Sequence, residues 1–348
     1  LNSTTNNPAE TTILALDAHG GDQGQSVSVP AALAALQQDS RLRIILVGDR
    51  AKLAPALAGA DEPVSDRLSI HHAETILSMD AKPVAVLRRG RESSMWKAFE
   101  LVAAGEAHAC VSGGNTAAMM VVGVKLLGML AGIQRPALMG YVPNINAYTG
   151  LLDLGANLDV SARQLVQFAV MGSVTAREIE GIDNPSVGLL NVGHEDSKGH
   201  GLVQNAHAML QDLPLNYTGF IEGNDIFDGT VDIAVCDGFA GNLILKSTEG
   251  LARMLLQEFK GALSNSVASK AGAALAGPSL KRMLARLDPA AHNGAPLLGL
   301  NGVAVKSHGS SGQKGLTRAI LEAGREARRR VHRRIEASIL EYRLETSK

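Results

Sequence analysis

Val231-Asp-Ile-Ala-Val-Cys-Asp-Gly-Phe-Ala-Gly-Asn242 reads as a buried strand running into a glycine-punctuated turn, with a helical pattern from Leu243 onward. A β-branched apolar run suits a parallel strand covered on both faces. In an open α/β sheet, ligands bind outside the carboxyl ends of the strands, which singles out Asp237, Gly238, Gly241 and Asn242. The plainer reading is a tight strand-to-helix turn in which Asn242 only caps the helix. Recurrence of the pattern decides between them.

It recurs. Thr12 to Asp17 reads as a strand entering Ala18-His-Gly-Gly-Asp22, which makes Gly20, Gly21 and Asp22 site candidates. Ala107 to Ser112 reads as a strand entering Gly113-Gly-Asn-Thr116, ahead of a helix from Ala117 to Leu130. The N–H groups of such a turn, with the side chains of Ser112, Asn115 and Thr116 and the open approach at Gly114, can face an anion. Taken in isolation, that motif is somewhat better explained as a cap-and-turn. Ala137 to Val142 and Gly150 to Leu154 read as an antiparallel pair leading to Asp153, Asn157 and a helix at Ser161. Ser186 to Asn191 reads as a strand ending in Val192-Gly-His-Glu-Asp-Ser-Lys-Gly199, where Lys198 at a strand exit is a candidate phosphate ligand. Val303-Ala-Val-Lys-Ser-His-Gly-Ser-Ser311 is a further strand exit and adds His308, Gly309 and Ser310.

Strands alternating with helices, such as Pro30 to Leu36, Asp49 to Ala58 and Ser93 to Ala104, imply an α/β fold with a mostly parallel sheet flanked by helices. The boundaries expected are a disordered leader over 1–11 and a single α/β domain over 12–345. A helical hairpin over 243–292 is inserted in that domain, with Lys281, Arg282 and Arg286 on its return arm. Packing against a second copy is the favoured reading of the hairpin, and contact with a membrane surface competes with it. A final helix from Thr317 to about Leu344 carries Arg325, Arg328, Arg329, Arg330, Arg333 and Arg334. A solvated face is the default for such a run, and a docking patch for an acidic partner is the alternative.

Composition narrows the function classes. The 348 residues carry 33 Lys+Arg against 34 Asp+Glu, so no global basic field points to nucleic acid. Glycine is abundant at 37, which suits tight turns and close helix–sheet packing. The two cysteines, Cys110 and Cys236, lie in apolar runs that suit buried thiols and a reducing compartment, here the cytoplasm. Cys236 precedes the Asp-Gly turn, but a thiol buried in an apolar strand is a poor nucleophile. The histidines lack the short regular spacing of a zinc site.

Asp17-Ala-His-Gly-Gly-Asp22, Ser112-Gly-Gly-Asn-Thr116, Asp153-Leu-Gly-Ala-Asn157, Gly188-Leu-Leu-Asn-Val-Gly193 with Lys198-Gly199, Gly219-Phe-Ile-Glu-Gly223, Cys236-Asp-Gly-Phe-Ala-Gly-Asn242, Gly294-Ala-Pro-Leu-Leu-Gly299 and His308-Gly-Ser-Ser311 stand in this order. Together they resemble the bacterial phosphate acyltransferase (PlsX) family of phospholipid synthesis, over roughly residues 12 to 330. The chain departs from the family at His19, where Met is usual, and at Gly113 and Ala117, where Ala and Gly are usual.

The resemblance implies that inorganic phosphate attacks the acyl thioester of acyl carrier protein, giving acyl phosphate without metal or organic cofactor. It implies a fold similar to that of isocitrate and isopropylmalate dehydrogenases and of phosphotransacetylase. It also implies a homodimer and a downstream glycerol-3-phosphate acyltransferase, with delivery at the inner face of the plasma membrane. Such chemistry needs donors and positive charge where an oxyanion develops. Lys198 and Asn242 are the residues expected to supply them. Three rivals compete with this reading: an acyl-coenzyme A enzyme, a dehydrogenase, disfavoured for want of a convincing GxGxxG turn with its acidic partner, and an idle phosphate or acyl sensor.

Overall fold

The computed structural model describes residues 11–57, 62–286, 293–342 and 344. The expected leader, apart from Thr11, and the last part of the expected hairpin, 287–292, lie outside the described residues. The elements follow the order β1 (Thr12–Asp17), α1 (Gln25–Gln38), β2 (Leu42–Gly48), α2 (Arg50–Leu57), α3 (Glu62–Ser65), β3 (Leu68–His72), α4 (Pro83–Arg89), α5 (Ser94–Ala103), β4 (Ala109–Ser112) and α6 (Thr116–Leu126). Then come β5 (Ala137–Pro143), β6 (Tyr148–Leu152), α7 (Ala162–Thr175), β7 (Val187–Leu190), α8 (Gly201–Gln211), β8 (Tyr217–Ile221), α9 (Gly223–Asp228), β9 (Ile233–Val235), α10 (Gly238–Ser264) and α11 (Val267–Arg286). The chain closes with β10 (Ala295–Leu298), β11 (Val303–Lys306), α12 (Gln313–Arg329) and α13 (Val331–Glu341).

The chain divides into two compact units, one of Leu1–Pro136, Glu178–Gly181 and Asn293–Lys348, the other of Ala137–Arg177 and Ile182–His292. In the first, β3, β2, β1, β4 and β11 run parallel in that order, and β10 pairs antiparallel with β11. In the second, β6, β9, β7 and β8 run parallel, and β5 pairs antiparallel with β6. Both are therefore mostly parallel α/β layers, as the alternation of strand and helix signals predicts. Parallel strands are covered on both faces, so β4 and β9 are buried at every position. The first unit's core gathers Leu14, Leu16, Ile44, Leu46, Val111 and Val305 from its strands and Ile320 and Ala323 from α12.

Two helix boundaries differ from the sequence reading. Pro30 to Leu36 is read as a short amphipathic helix. Instead α1 begins at Gln25 behind Gly24, whose φ is 52, and Pro30 lies inside it. Its buried positions, Ser28, Val29, Ala31, Ala32, Ala35 and Leu36, recur at three- and four-residue spacing and so share one face of the helix. The long C-terminal helix is two helices: Arg330 takes a left-handed conformation (φ 51), and the chain turns there from α12 into α13. Each helix then buries its own stripe, Ala319, Ile320 and Ala323 on one and Val331, Ile335 and Ile339 on the other.

Candidate functional site

In the first unit the carboxyl ends of β1, β4 and β11 open on one rim, and their exit turns line a small cleft that includes Gly20, Gly113, Ser307, His308, Gly309 and Ser311. Backbone closeness demands the glycines: a Cβ on Gly21 (φ +89) would sit 2.9 Å from the Gly309 carbonyl oxygen, and one on Gly20 2.5 Å from an Asp17 carboxylate oxygen. Ser112 Oγ donates to Asp17 Oδ2 at 2.6 Å and accepts from the Gly114 N–H at 3.0 Å. The Asp22 N–H donates to the Gly309 carbonyl at 2.9 Å, stitching two exit turns together. Asn115 caps α6, its Oδ1 accepting from the Ala118 N–H at 2.8 Å while Nδ2 donates to the Met79 carbonyl. Thr116, half-buried, opens the helix behind that cap. His308 is exposed, and its Nδ1 lies 2.9 Å from Ser310 Oγ.

In the second unit the carboxyl ends of β6, β9 and β7 likewise share a rim. Asp153, following β6, is fully buried; Oδ1 accepts from the N–H groups of Leu138 and Ala156, Oδ2 from the backbone and side-chain amide of Asn157 at 2.6 and 2.8 Å. Burial raises its carboxyl above the ordinary range, and those four donors oppose the rise. Asp153 and Asn157 thus form a scaffold for the turn. That turn packs directly on α10: the Gly238 N–H donates to the Asn157 carbonyl at 2.7 Å, and a Cβ on Gly241 would lie 1.9 Å from the Asp153 carbonyl oxygen.

Asp237, not Asn242, caps α10, accepting from the Ala240 N–H at 2.7 Å. Asn242 stands exposed one turn into the helix, where Gly155 (φ +101) passes so close that a Cβ on it would be 3.2 Å from Asn242 Cβ. Lys198 is exposed on the loop that leaves β7, the strand next to β9. Lys198 and Asn242 therefore stand beyond the carboxyl ends of neighbouring parallel strands of one unit.

Burial pushes the Cys236 thiol strongly up, with Asp237 and Asp153 adding to it, so this thiol is no nucleophile at neutral pH. Glu222 caps α9 in a reciprocal box with Asp225. Arg325 pairs with Glu322 and Glu180, and Arg328 with Asp39 at 2.8 Å, which removes both from the docking patch considered for the last helix. Arg329, Arg330, Arg333 and Arg334 remain exposed, Arg333 in a surface pair with Glu336 at 3.0 Å. Among the described residues no group of three or more His, Cys, Asp or Glu could hold a metal ion.

Sequence reasoning missed Lys306. It ends β11 buried, and its Nζ donates to the carbonyls of Gly113, at 3.4 Å, and Ser307. A buried ammonium is costly unless such groups replace its water, so this lysine ties two exit turns with a charge. The available signal was a lysine interrupting an apolar strand run. Asn293 was missed too; it donates to Ser307 Oγ at 2.7 Å and accepts from the His308 N–H at 2.9 Å.

The profile of the family described as fatty acid synthesis protein matches residues 12–334. The phosphate acyltransferase of Methylococcus capsulatus is 45% identical over 93% of this chain and 96% of its own, and that of Caulobacter vibrioides 46% identical over 92% and 89%. The chain belongs to the phosphate acyltransferase family. It is an acyltransferase of fatty acid and phospholipid synthesis, as the ordered motifs led one to expect. Among solved structures it is similar in fold to a phosphotransacetylase from Streptococcus pyogenes, with a TM-score of 0.61 and 18% identity over 91% of this chain and 94% of the other. A phosphotransacetylase from Staphylococcus aureus matches with a TM-score of 0.59 and 16% identity over the same shares, 91% and 94%.

Proposed function

We propose that the enzyme moves a fatty acyl group from the thioester of acyl carrier protein to inorganic phosphate. A phosphate oxygen attacks the thioester carbon, a tetrahedral oxyanion forms, and its collapse expels the carrier thiolate, leaving acyl phosphate. Phosphate dianion is already nucleophilic at neutral pH, so the protein's tasks are to bind, to orient and to stabilise developing charge. In this reading the Lys198 ammonium holds phosphate or the oxyanion, and the Asn242 amide donates to the carbonyl oxygen. The observation that supports it is the division of labour on α10: Asp237 does the capping, which leaves the Asn242 amide exposed past β9, whose parallel neighbour β7 leads into the loop of Lys198.

In the first unit the proposed anion contacts are the Gly21 and Gly309 backbone with Thr116, His308 and Ser310, while the N–H groups of Gly20 and Gly114 are held by the Asp17 carbonyl and Ser112 Oγ. Asp22, Ser112, Asn115, Asp153, Asn157, Asp237, Gly238 and Gly241 act through the turns they hold, since their polar atoms or backbone are engaged within the fold. The reading extends to a homodimer. It is supported by the apolar side chains Leu243, Leu251, Met254, Leu255 and Phe259 that α10 leaves exposed, a face that contact with a membrane surface would also cover. No helix among the described residues is long and apolar enough to cross a membrane.

The test is phosphate-dependent release of carrier thiol from acyl carrier protein, with the matching acyl-coenzyme A offered in parallel and Lys198→Ala and Asn242→Ala assayed alongside. Turnover of the carrier thioester, lost in both variants, is the expected result. Near-normal turnover in both variants rejects the roles assigned; preference for the coenzyme A thioester rejects the donor.

A further inference from the structure

The loop that carries Lys198 is closed by side chains from outside it. Asn191, at the end of β7, donates from Nδ2 to the carbonyls of Gly193 and Lys198, both at 3.2 Å, so one amide ties the loop's beginning to its end. Gln204, on α8, directs Nε2 at the carbonyls of Ser197, Gly199 and Lys198, at 3.3, 3.4 and 3.5 Å. Two amides from two different elements thus converge on the carbonyl of Lys198. The Lys198 N–H is also engaged, donating to the Glu195 carbonyl at 2.9 Å.

The packing around these bonds is specific. Gly199 has φ +85, and a Cβ there would lie 2.2 Å from Asn191 Oδ1, so only glycine admits the amide. A Cβ on Gly193 would lie 3.1 Å from Lys198 Cγ, so the bare glycine leaves room for the lysine's stem. The loop's other flank is pinned by His194, whose Nδ1 is 3.1 Å from the Phe220 carbonyl and Nε2 3.3 Å from Asp225 Oδ2.

Exposed loops normally leave their carbonyls to water, and a clamp of this kind adds little to the core. Its direct consequence is a fixed backbone at Lys198, from which the flexible stem has only its own rotations left. A reacting charge displaced by about 1 Å can lose on the order of a hundredfold in rate, so a lysine working on a solvent-exposed loop needs such support.

We propose that Asn191 and Gln204 are positioning residues for Lys198, their amides holding its backbone so that the ammonium is presented beyond the carboxyl end of β7. This rests on the reading of Lys198 as the cation that meets phosphate or the oxyanion. Asn191→Ala and Gln204→Met remove the donors without adding a charge. Each variant is expected to lower kcat by about ten- to a hundredfold, with KM for acyl carrier protein thioester within about twofold and the thermal midpoint little changed. In a Lys198→Ala background, followed by single turnover at high enzyme concentration, neither change should lower the rate by more than about twofold further.

Wild-type kcat in both variants, or an equal loss in both backgrounds, overturns the clamp and leaves the role of Lys198 standing. A wild-type rate in Lys198→Ala alone overturns that role and the clamp with it. If Asn191→Ala fails to fold, Gln204→Met, a change to one half-buried side chain of α8, decides by itself.

Discussion

In the first unit Ser112 and Asp17 turn their polar atoms on each other and Asn115 turns its own on the backbone, whereas in the second Lys198 and Asn242 stand exposed beyond a buried scaffold of Asp153 and Asn157. Both rims are built from strand exits, glycine turns and helix caps. The difference lies in what the caps leave over. Fold stability consumes Asn115 in capping α6; where Asp237 caps α10, Asn242 is spare. In the proposed reading, the group a glycine turn offers to substrate is the polar side chain that its helix cap leaves unused.

The largest effect should come from the spare residues. Lys198→Ala and Asn242→Ala are each expected to lower kcat on the order of a hundred- to a thousandfold with unchanged thermal midpoints. A loss of rate that tracks a loss of fold would break the comparison, because these side chains would then be scaffold as well.

Next is the scaffold itself. Gly241→Ala would bring a methyl group to 1.9 Å from the Asp153 carbonyl oxygen, so either α10 or the Asp153 turn must shift. Roughly 3 kcal/mol of stability should be lost, seen as a lower urea midpoint at constant slope. An unchanged midpoint would mean that the exit turn of β6 yields freely and does not hold Asn242 in place.

The first unit should show its inward character in its response to acid. Burial, and then the charge of Arg333, push His332 down to about 4 from an ordinary 6.5, and its Nδ1 is buried with no hydrogen-bond partner among the described residues. Above pH 6.5 the ring is neutral whether the chain is folded or not. As pH falls from 6.5 towards 4 the unfolded chain takes up the proton first, so stability present at neutral pH is lost across that window. After allowance for partial exposure the loss is on the order of 2 kcal/mol. Urea titrations of His332→Gln should be flatter than wild type between pH 6.5 and 4; parallel curves would show that another group governs acid sensitivity.

Smallest is the cap. Asn115→Ala should cost about 1 kcal/mol of stability through the lost helix cap and leave kcat near wild type. A large fall in kcat without loss of stability would place Asn115 with Lys198 and Asn242 and erase the contrast between the rims.

Much of this architecture is legible in the chain because the signals are local. Ile233-Ala-Val and Ala109-Cys-Val are apolar runs that only a doubly covered strand can bury, and each is followed by a glycine turn and a helical pattern. Misread features depend on partners distant in sequence. Nothing near Arg328 shows that Asp39 will neutralise it, and nothing near Pro30 shows that the helix has already begun behind Gly24. Arg330 gives no sequence sign of its left-handed turn, because arginine is an ordinary helix former and rarely adopts that conformation.

By itself the sequence determined the α/β class, the strand exits and the set of polar residues standing there. Those follow from periodicity and from the backbone demands of glycine, which neighbouring residues settle among themselves. Only the tertiary structure decided which polar residue each turn uses up. That Asp237 caps, that Asp153 is buried among four donors and that Lys306 lies beneath two turns depends on which strands become neighbours. A side chain's hydrogen bonds are allotted by proximity in space, and a linear pattern does not carry that information.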